Sequence, residues 1–230
     1  HLSIRRQRQM CIRDRYGLTK GQVSPTSKQG TISSSTPWGS FAYNVNPVSF
    51  AFGCGATFIA RTMDRDPAHM RYVLKAAALH KGVAFVEVLQ NCIIYNDGTF
   101  SLYTEKETKP QHSLFLEEGK PLLFANGKKV ITLNNMEPSI QELTDSNLPP
   151  NAFIHNPSSK IKSSIIINVI DDLSNTGAFP KPFGILYKVE KPTYQETEEL
   201  KKAELMKKSP PISVISLIKK GITWQSENNV

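Results

Sequence analysis

DPAHMRYVLKAAALHKGVAFVEVL, residues 66–89, decides how the rest of the chain is read. Asp66 followed by Pro67 is a helix start. The aspartate can accept from a free backbone N–H of the first turn, and proline there gives up an N–H that would have no intrahelical partner. Met70, Val73, Leu74 and Ala77 then recur at helical spacing. They predict a helix to His80 with those four side chains inward and Gly82 as its stop. Val83–Leu89 follows as an apolar, β-rich run suited to the middle of a parallel sheet. A helix, a glycine and a buried strand make half of an α/β unit, so the expected fold class is α/β with a mostly parallel sheet.

Working outward, Val48–Arg61 (VSFAFGCGATFIAR) is apolar almost all round and reads as a buried helix. Gly53 and Gly55 would weaken that helix, which suggests close packing against a strand or a cofactor. Further upstream, Tyr16–Thr26 (YGLTKGQVSPT) sets Lys20 between Gly17 and Gly21. Glycine lets a backbone approach a ligand, and a lysine there is a point charge for an anion.

Downstream, Asn126-Gly127 marks a hairpin within Leu122–Leu133, because that residue pair favours a tight turn between strands. The stretch beyond Asn96-Asp97-Gly98 otherwise reads as irregular. Pro149-Pro150 marks a loop, Ile161–Leu173 an amphipathic helix, and Gly184–Val189 a short strand. Thr193–Lys208 is a charged surface helix with i,i+4 pairs, and Ile212–Lys219 a last short helix. No internal repeat is visible.

The chain has 230 residues, 39% of them apolar, enough for one sizeable core. No apolar run reaches the roughly 18–20 residues a membrane span needs, and no secretory h-region follows the basic start. Cys11, Cys54 and Cys92 show no pairing pattern, which points to a reducing compartment, the cytoplasm. The net charge is +8, but Arg5, Arg6, Arg8, Arg13 and Arg15, offset by Asp14, put half of it in the first fifteen residues. Later lysines alternate with glutamates as on a solvated helix face, so a nucleic-acid partner is not expected. Residues 1–15 read as a non-native or unrelated leader.

Few residues qualify for chemistry. Asp66 has a helix to cap and Asp64 a loop to solvate. His69 and His80 stand about three helical turns apart, too far to share a metal, and His112 and His155 are isolated in loops. Phosphate-loop and hydrolase patterns are absent. Cys92 falls just beyond the strand, at the carboxyl end where α/β sheets place ligands. On spacing alone, packing explains a lone cysteine there better than chemistry does.

Several segments in register resemble the β subunit of 2-oxoacid:ferredoxin oxidoreductases, particularly the 2-oxoglutarate type. They are YGLTKGQVSPTS (16–27), NPVSFAFGCGATFIAR (46–61), DRDPAHM (64–70) and HKGVAFVEVLQNC (80–92). FPKPFGILYKVEKPTY (179–194) and Thr223-Trp224 fit more loosely. The resemblance implies the thiamine-diphosphate-binding fold, here incomplete at the N-terminus. It implies thiamine diphosphate, Mg²⁺, one [4Fe–4S] cluster and coenzyme A as co-substrate, with an α subunit, ferredoxin and a 2-oxoacid as partners in a heterodimer.

On that resemblance, Tyr16, Gly17, Leu18 and Thr19 would line the cofactor's diphosphate and thiazolium end. Lys20 would face the distal carboxylate of the substrate, and Cys92 matches a cluster ligand. The family's CxxC and its GDG aspartate are missing from this sequence, and Arg13-Asp14-Arg15 stands where oxygen ligands for magnesium are expected. Residues 16–104 are expected to be the C-terminal part of the cofactor domain, and 105–230 an extension with a hairpin and surface helices. The chain alone is therefore expected to be inactive. The alternative reading is a non-catalytic interaction subunit built on the same half-domain and its basic tail.

Overall fold

The computed structural model describes residues 23–33, 35–91, 93, 97–143, 147–208 and 213–220. The chain divides into two compact units between Glu190 and Lys191.

In the first unit, Asn46 starts helix α1 (Pro47–Gly53) by accepting from the N–H groups of Val48 and Ser49. The helix does not run on to Arg61 as the apolar pattern suggests. It ends at Gly53, Gly55 turns with φ +82°, and strand β1 (Phe58–Met63) begins. A Cβ added at Gly53 or Gly55 would meet nothing within 4 Å. Within the described residues no strand packs closely on either glycine, and the helix ends there.

Helix α2 (Pro67–Leu79) is capped as the sequence predicts, with the Asp66 carboxylate accepting from the His69 N–H. Val73 is fully buried, while Leu74 is 44% exposed and does not face inward. The buried stripe of α2 is narrow, with Val73, Ala76 and Ala77 packing against Phe58 and Ala60. Strand β2 (Ala84–Leu89) pairs in parallel with β1 from Phe58↔Ala84 to Met63↔Leu89. Among the described residues it is an edge strand, not a central one, and only its last residue is buried. The central position falls to β1, with all six residues buried.

Residues past Gly98 are more regular than their sequence suggests: α3 (Ser101–Thr104), α4 (Lys109–His112) and β3 (Ser113–Phe115) follow. Strands β4 (Leu123–Phe124), β5 (Lys129–Asn134) and β6 (Glu137–Glu142) form an antiparallel three-stranded sheet. The expected turn is there, with Asn126 and Gly127 at φ 57° and 80°. The second turn, Asn135-Met136 at φ 49° and 71°, is hidden because methionine seldom adopts that backbone.

The helix predicted over Ile161–Leu173 is longer and carries a π-helical stretch. α5 (Lys160–Ser164) leads into π-helical Ile165–Ile170 and then α6 (Asp171–Asn175). Strand β7 (Lys181–Lys188) begins three residues earlier than predicted. It runs antiparallel to β1 and parallel to β3, giving the order β2-β1-β7-β3, two parallel contacts of three. Thus β7, from beyond residue 104, shares one sheet with β1.

Alternation along β1 explains why it tolerates no exposure. Phe58 and Ala60 pack on α2, while Ile59 joins the main core with Val48, Ile166, Ile167, Ile170 and Leu186. The sheet is covered on both faces, as α/β architecture requires.

The second unit holds α7 (Tyr194–Lys208) and α8 (Val214–Lys219), close to their predicted bounds. Thr193 and Glu196 form a reciprocal capping box: the Glu196 carboxylate accepts from the Thr193 N–H at 2.8 Å, and Thr193 Oγ1 from the Glu196 N–H at 3.2 Å.

Candidate functional site

Tyr16, Gly17, Leu18, Thr19, Lys20 and Cys92 lie outside the described residues, so their expected roles rest on the sequence. The described end of the lysine motif, Val23–Thr26, opens a tied excursion. Val45 N–H donates to the Pro25 carbonyl at 2.8 Å, and Gly30 N–H donates to the Ser40 carbonyl at 2.8 Å. Ser27 is buried beneath it, and its Oγ accepts from the Ser24 N–H. Residues 25 and 45 are thereby held together, and Asn46 comes next.

Asn46 leads to the feature that sequence reasoning missed. Its side-chain amide donates to Asp171 Oδ2 at 2.8 Å while its oxygen caps α1. Asp171 also receives the Arg61 guanidinium on both oxygens, the Nη2–Oδ2 bond being 2.9 Å, and Lys181 Nζ at 2.9 Å. Arg61 further donates to Glu87 and to the Pro182 carbonyl, and Lys181 to Asn175 Oδ1 at 2.9 Å. Among the described residues Arg61 is the largest fully buried side chain, and it and Asp171 are each 1% exposed. The β1–β2 register sets Arg61 opposite Glu87, and the turn from the π-helical stretch into α6 brings Asp171 to the same place.

The electrostatics follow from burial with full pairing. Desolvation works against each charge. Even so, Arg61 and Lys181 hold the Asp171 carboxyl well below the usual carboxylate range, and Asp171 and Glu87 keep the Arg61 guanidinium protonated. Lys181 is pulled below its usual value by burial and by Arg61, with Asp171 opposing. Two cations and two carboxylates balance. A signal was present in the sequence: a lone arginine inside FIARTM and an aspartate closing the run IIINVI require buried partners.

The histidines go elsewhere. His69 Nδ1 lies 2.8 Å from Thr62 Oγ1 on β1, and His80 Nε2 lies 2.8 Å from Thr57 Oγ1 just before that strand, two separate pairs. His112 closes α4, correcting its expected loop position. His155 is buried and donates from Nε2 to the Ile185 carbonyl at 2.8 Å. Burial lowers the pKa of His69, His80 and His155. At the carboxyl end of β2, Asn91 bonds to Asp97 at 2.6 Å and to the Gly98 N–H at 3.0 Å, so residues 91 and 98 are joined. Asp66, besides capping α2, pairs with Lys109 at 3.3 Å. Among the described residues no group of three or more His, Cys, Asp or Glu could hold a metal ion. Nor is any described helix long and apolar enough to cross a membrane.

Residues 13–88 match the C-terminal TPP-binding domain of thiamine pyrophosphate enzymes. Over 182 residues the chain is 35% identical to the 2-oxoglutarate oxidoreductase subunit KorB of Mycobacterium tuberculosis, covering 79% of this chain and 48% of that protein. The chain is similar to the β subunits of 2-oxoacid:ferredoxin oxidoreductases. It is also 43% identical over 91 residues to the 2-oxoacid:ferredoxin oxidoreductase subunit beta of Saccharolobus solfataricus, covering 40% of this chain and 30% of that one.

The fold agrees with the family. The chain superimposes with a TM-score of 0.56 and 21% identity on the 2-oxoglutarate:ferredoxin oxidoreductase from Magnetococcus marinus, solved with 2-oxoglutarate, coenzyme A and succinyl-CoA bound. That match covers 89% of this chain and 54% of the other, and it shows the fold. The chain spans about half the length of the Mycobacterium tuberculosis relative and less of the archaeal one.

Proposed function

We propose that this β-subunit chain contributes the lysine-bearing edge of a thiamine-diphosphate site. The enzyme would oxidatively decarboxylate 2-oxoglutarate or a related 2-oxoacid to the acyl-CoA and pass electrons through a [4Fe–4S] cluster to ferredoxin. The carrying observation is the 35% identity over 182 residues, together with a cofactor-domain match that includes the YGLTK motif. An α subunit completes the enzyme, in the cytoplasm.

When bound, thiamine diphosphate supplies the ylid and the electron sink. This chain's own residues would bind and orient. Tyr16, Gly17, Leu18 and Thr19 would hold the diphosphate and thiazolium end. Lys20 would pair with the distal carboxylate of 2-oxoglutarate, a charge-assisted contact that aligns the substrate. Cys92 would ligate the cluster. Neither the CxxC nor the GDG of the family occurs within these 230 residues, so the remaining cluster and magnesium ligands are not supplied here.

The test uses the subunit in its complete complex. Lys20→Ala should lower 2-oxoglutarate-dependent ferredoxin reduction by about 10- to 100-fold, the worth of one hydrogen bond to a charged group. Cys92→Ser should remove the cluster absorbance near 400 nm. Full activity in both variants, with partner capture retained, would establish the non-catalytic interaction role instead. The 230-residue chain alone should show neither the absorbance nor turnover.

A further inference from the structure

Helix α8 puts its apolar side chains into water. Val214, Ile215, Leu217 and Ile218 are 55–71% exposed, and no residue of the helix is buried. At about 100° per residue these four share one face about 160° wide, with Lys219 and Lys220 on its two sides and Ser216 opposite. The helix holds its own ends with that face open. Ser213 Oγ accepts from the Ser216 N–H at 3.2 Å, and Lys219 and Lys220 stand at the carboxyl end, where the helix dipole favours cations.

The surrounding charge has one sign. Between Glu204 and Glu227 the sequence carries four lysines and no acidic residue. Among the described residues Lys208 meets Glu204, while Lys219 and Lys220 meet no carboxylate. An apolar face flanked by cations calls for a partner that is apolar at the centre and acidic at the rim. Val214, Leu217 and Ile218 stand at i, i+3 and i+4, the spacing with which a helix seats in a protein groove. Hold on a membrane surface scales with the apolar area buried, and two turns supply little of it. A carrier that binds and leaves meets a more polar surface, whereas a face this apolar suits a lasting contact between subunits.

We infer that α8 docks in an acidic-rimmed apolar groove of the α subunit, with Val214 and Ile218 at the centre of the contact and Lys219 and Lys220 at its rim. This rests on the β-subunit reading above, and it assigns an interaction surface to a part of the chain outside the matched cofactor domain.

The test measures the affinity of the complete β subunit for the purified α subunit. Ile218→Asp should raise the dissociation constant at least about 30-fold, the loss of one central anchor. Lys219→Glu together with Lys220→Glu should weaken binding about tenfold at low salt and far less in about 1 M salt, where rim charges are screened. All three positions are exposed, so the melting temperature of the β subunit should stay at the wild-type value. The charge reversal removes no apolar contact, and it decides the matter if Ile218→Asp disturbs the helix. Unchanged affinity in both variants overturns the docking, and a charge reversal without effect at low salt overturns the acidic rim. An α8-dependent dimer of the β subunit alone, or α8-dependent flotation with phosphatidylglycerol vesicles, gives the face another occupant and overturns the inference too. A wild-type β subunit that does not bind the α subunit overturns the β-subunit reading as well.

Discussion

The two units use the same pair chemistry in opposite surroundings. In the first, Arg61, Lys181, Asp171 and Glu87 meet at the sheet, with Arg61 and Asp171 almost wholly out of solvent. In the second, Lys202 meets Glu198 at 2.8 Å and Lys208 meets Glu204, each four residues along α7 and open to water. Water screens the exposed pairs and solvates their charges when they part, so they contribute little. Inside, the partners cannot return to water without unfolding, so removing one leaves an uncompensated charge. Distance alone does not reveal this difference; burial does.

The largest test of that contrast is Asp171→Ala. It strands Arg61 and Lys181 with only Glu87 as a counter-ion and should cost about 3–5 kcal/mol, read as a lower urea midpoint. A loss below about 1 kcal/mol would mean that the site relaxes or admits water, and would erase the distinction between the units.

Acid should act next. His69, His80 and His155 have folded pKa values depressed by burial, so the unfolded chain takes up their protons first. Their contribution is complete above about pH 6.5, the unfolded histidine value, and falls away as pH drops below it. Asp171, also depressed, holds its contribution until pH falls below about 3.9, its unfolded value, and then loses it. Urea midpoints measured from pH 8 to 3 should therefore fall in two stages. His155→Gln should flatten the first, and a single transition near pH 4 would contradict the buried histidines.

The smallest expected effect is Lys208→Ala, a change of under about 0.5 kcal/mol in helix stability that vanishes in 1 M salt, where screening acts within about 3 Å. Asp171→Ala should keep its effect at that salt concentration. Equal salt sensitivity in the two would remove the contrast.

Much of the fold was legible where the signal is local. Asp66-Pro67 announced α2, Asn126-Gly127 the turn between β4 and β5, and the Glu/Lys alternation α7. The errors share one cause. Val48–Arg61 is apolar on every side, and such a run reads alike for a buried helix and a buried strand, so α1 and β1 were merged. Val83–Leu89 looked central because apolar content reports burial but not neighbours, and among the described residues β2 is an edge. Leu74 shows the same limit within a helix: period alone does not say how wide the packed stripe is. Of the candidate site, the motif around Lys20 and Cys92 are readings of the sequence that lie outside the described residues, whereas the buried network of Arg61, Asp171 and Lys181 was not legible in the sequence.

By itself, then, the sequence determined the caps, the first hairpin turn, the α/β class and the motifs that carry the family likeness. These depend on residues within a few positions of one another. Only the tertiary structure decided that Arg61 on β1 and Asp171, 110 residues later, share one site with Asn46. A buried charge states in the sequence that it needs a partner. Which partner it receives depends on chain elements brought together by the burial of Ile59, Ile166 and Ile170, and no local pattern records that choice.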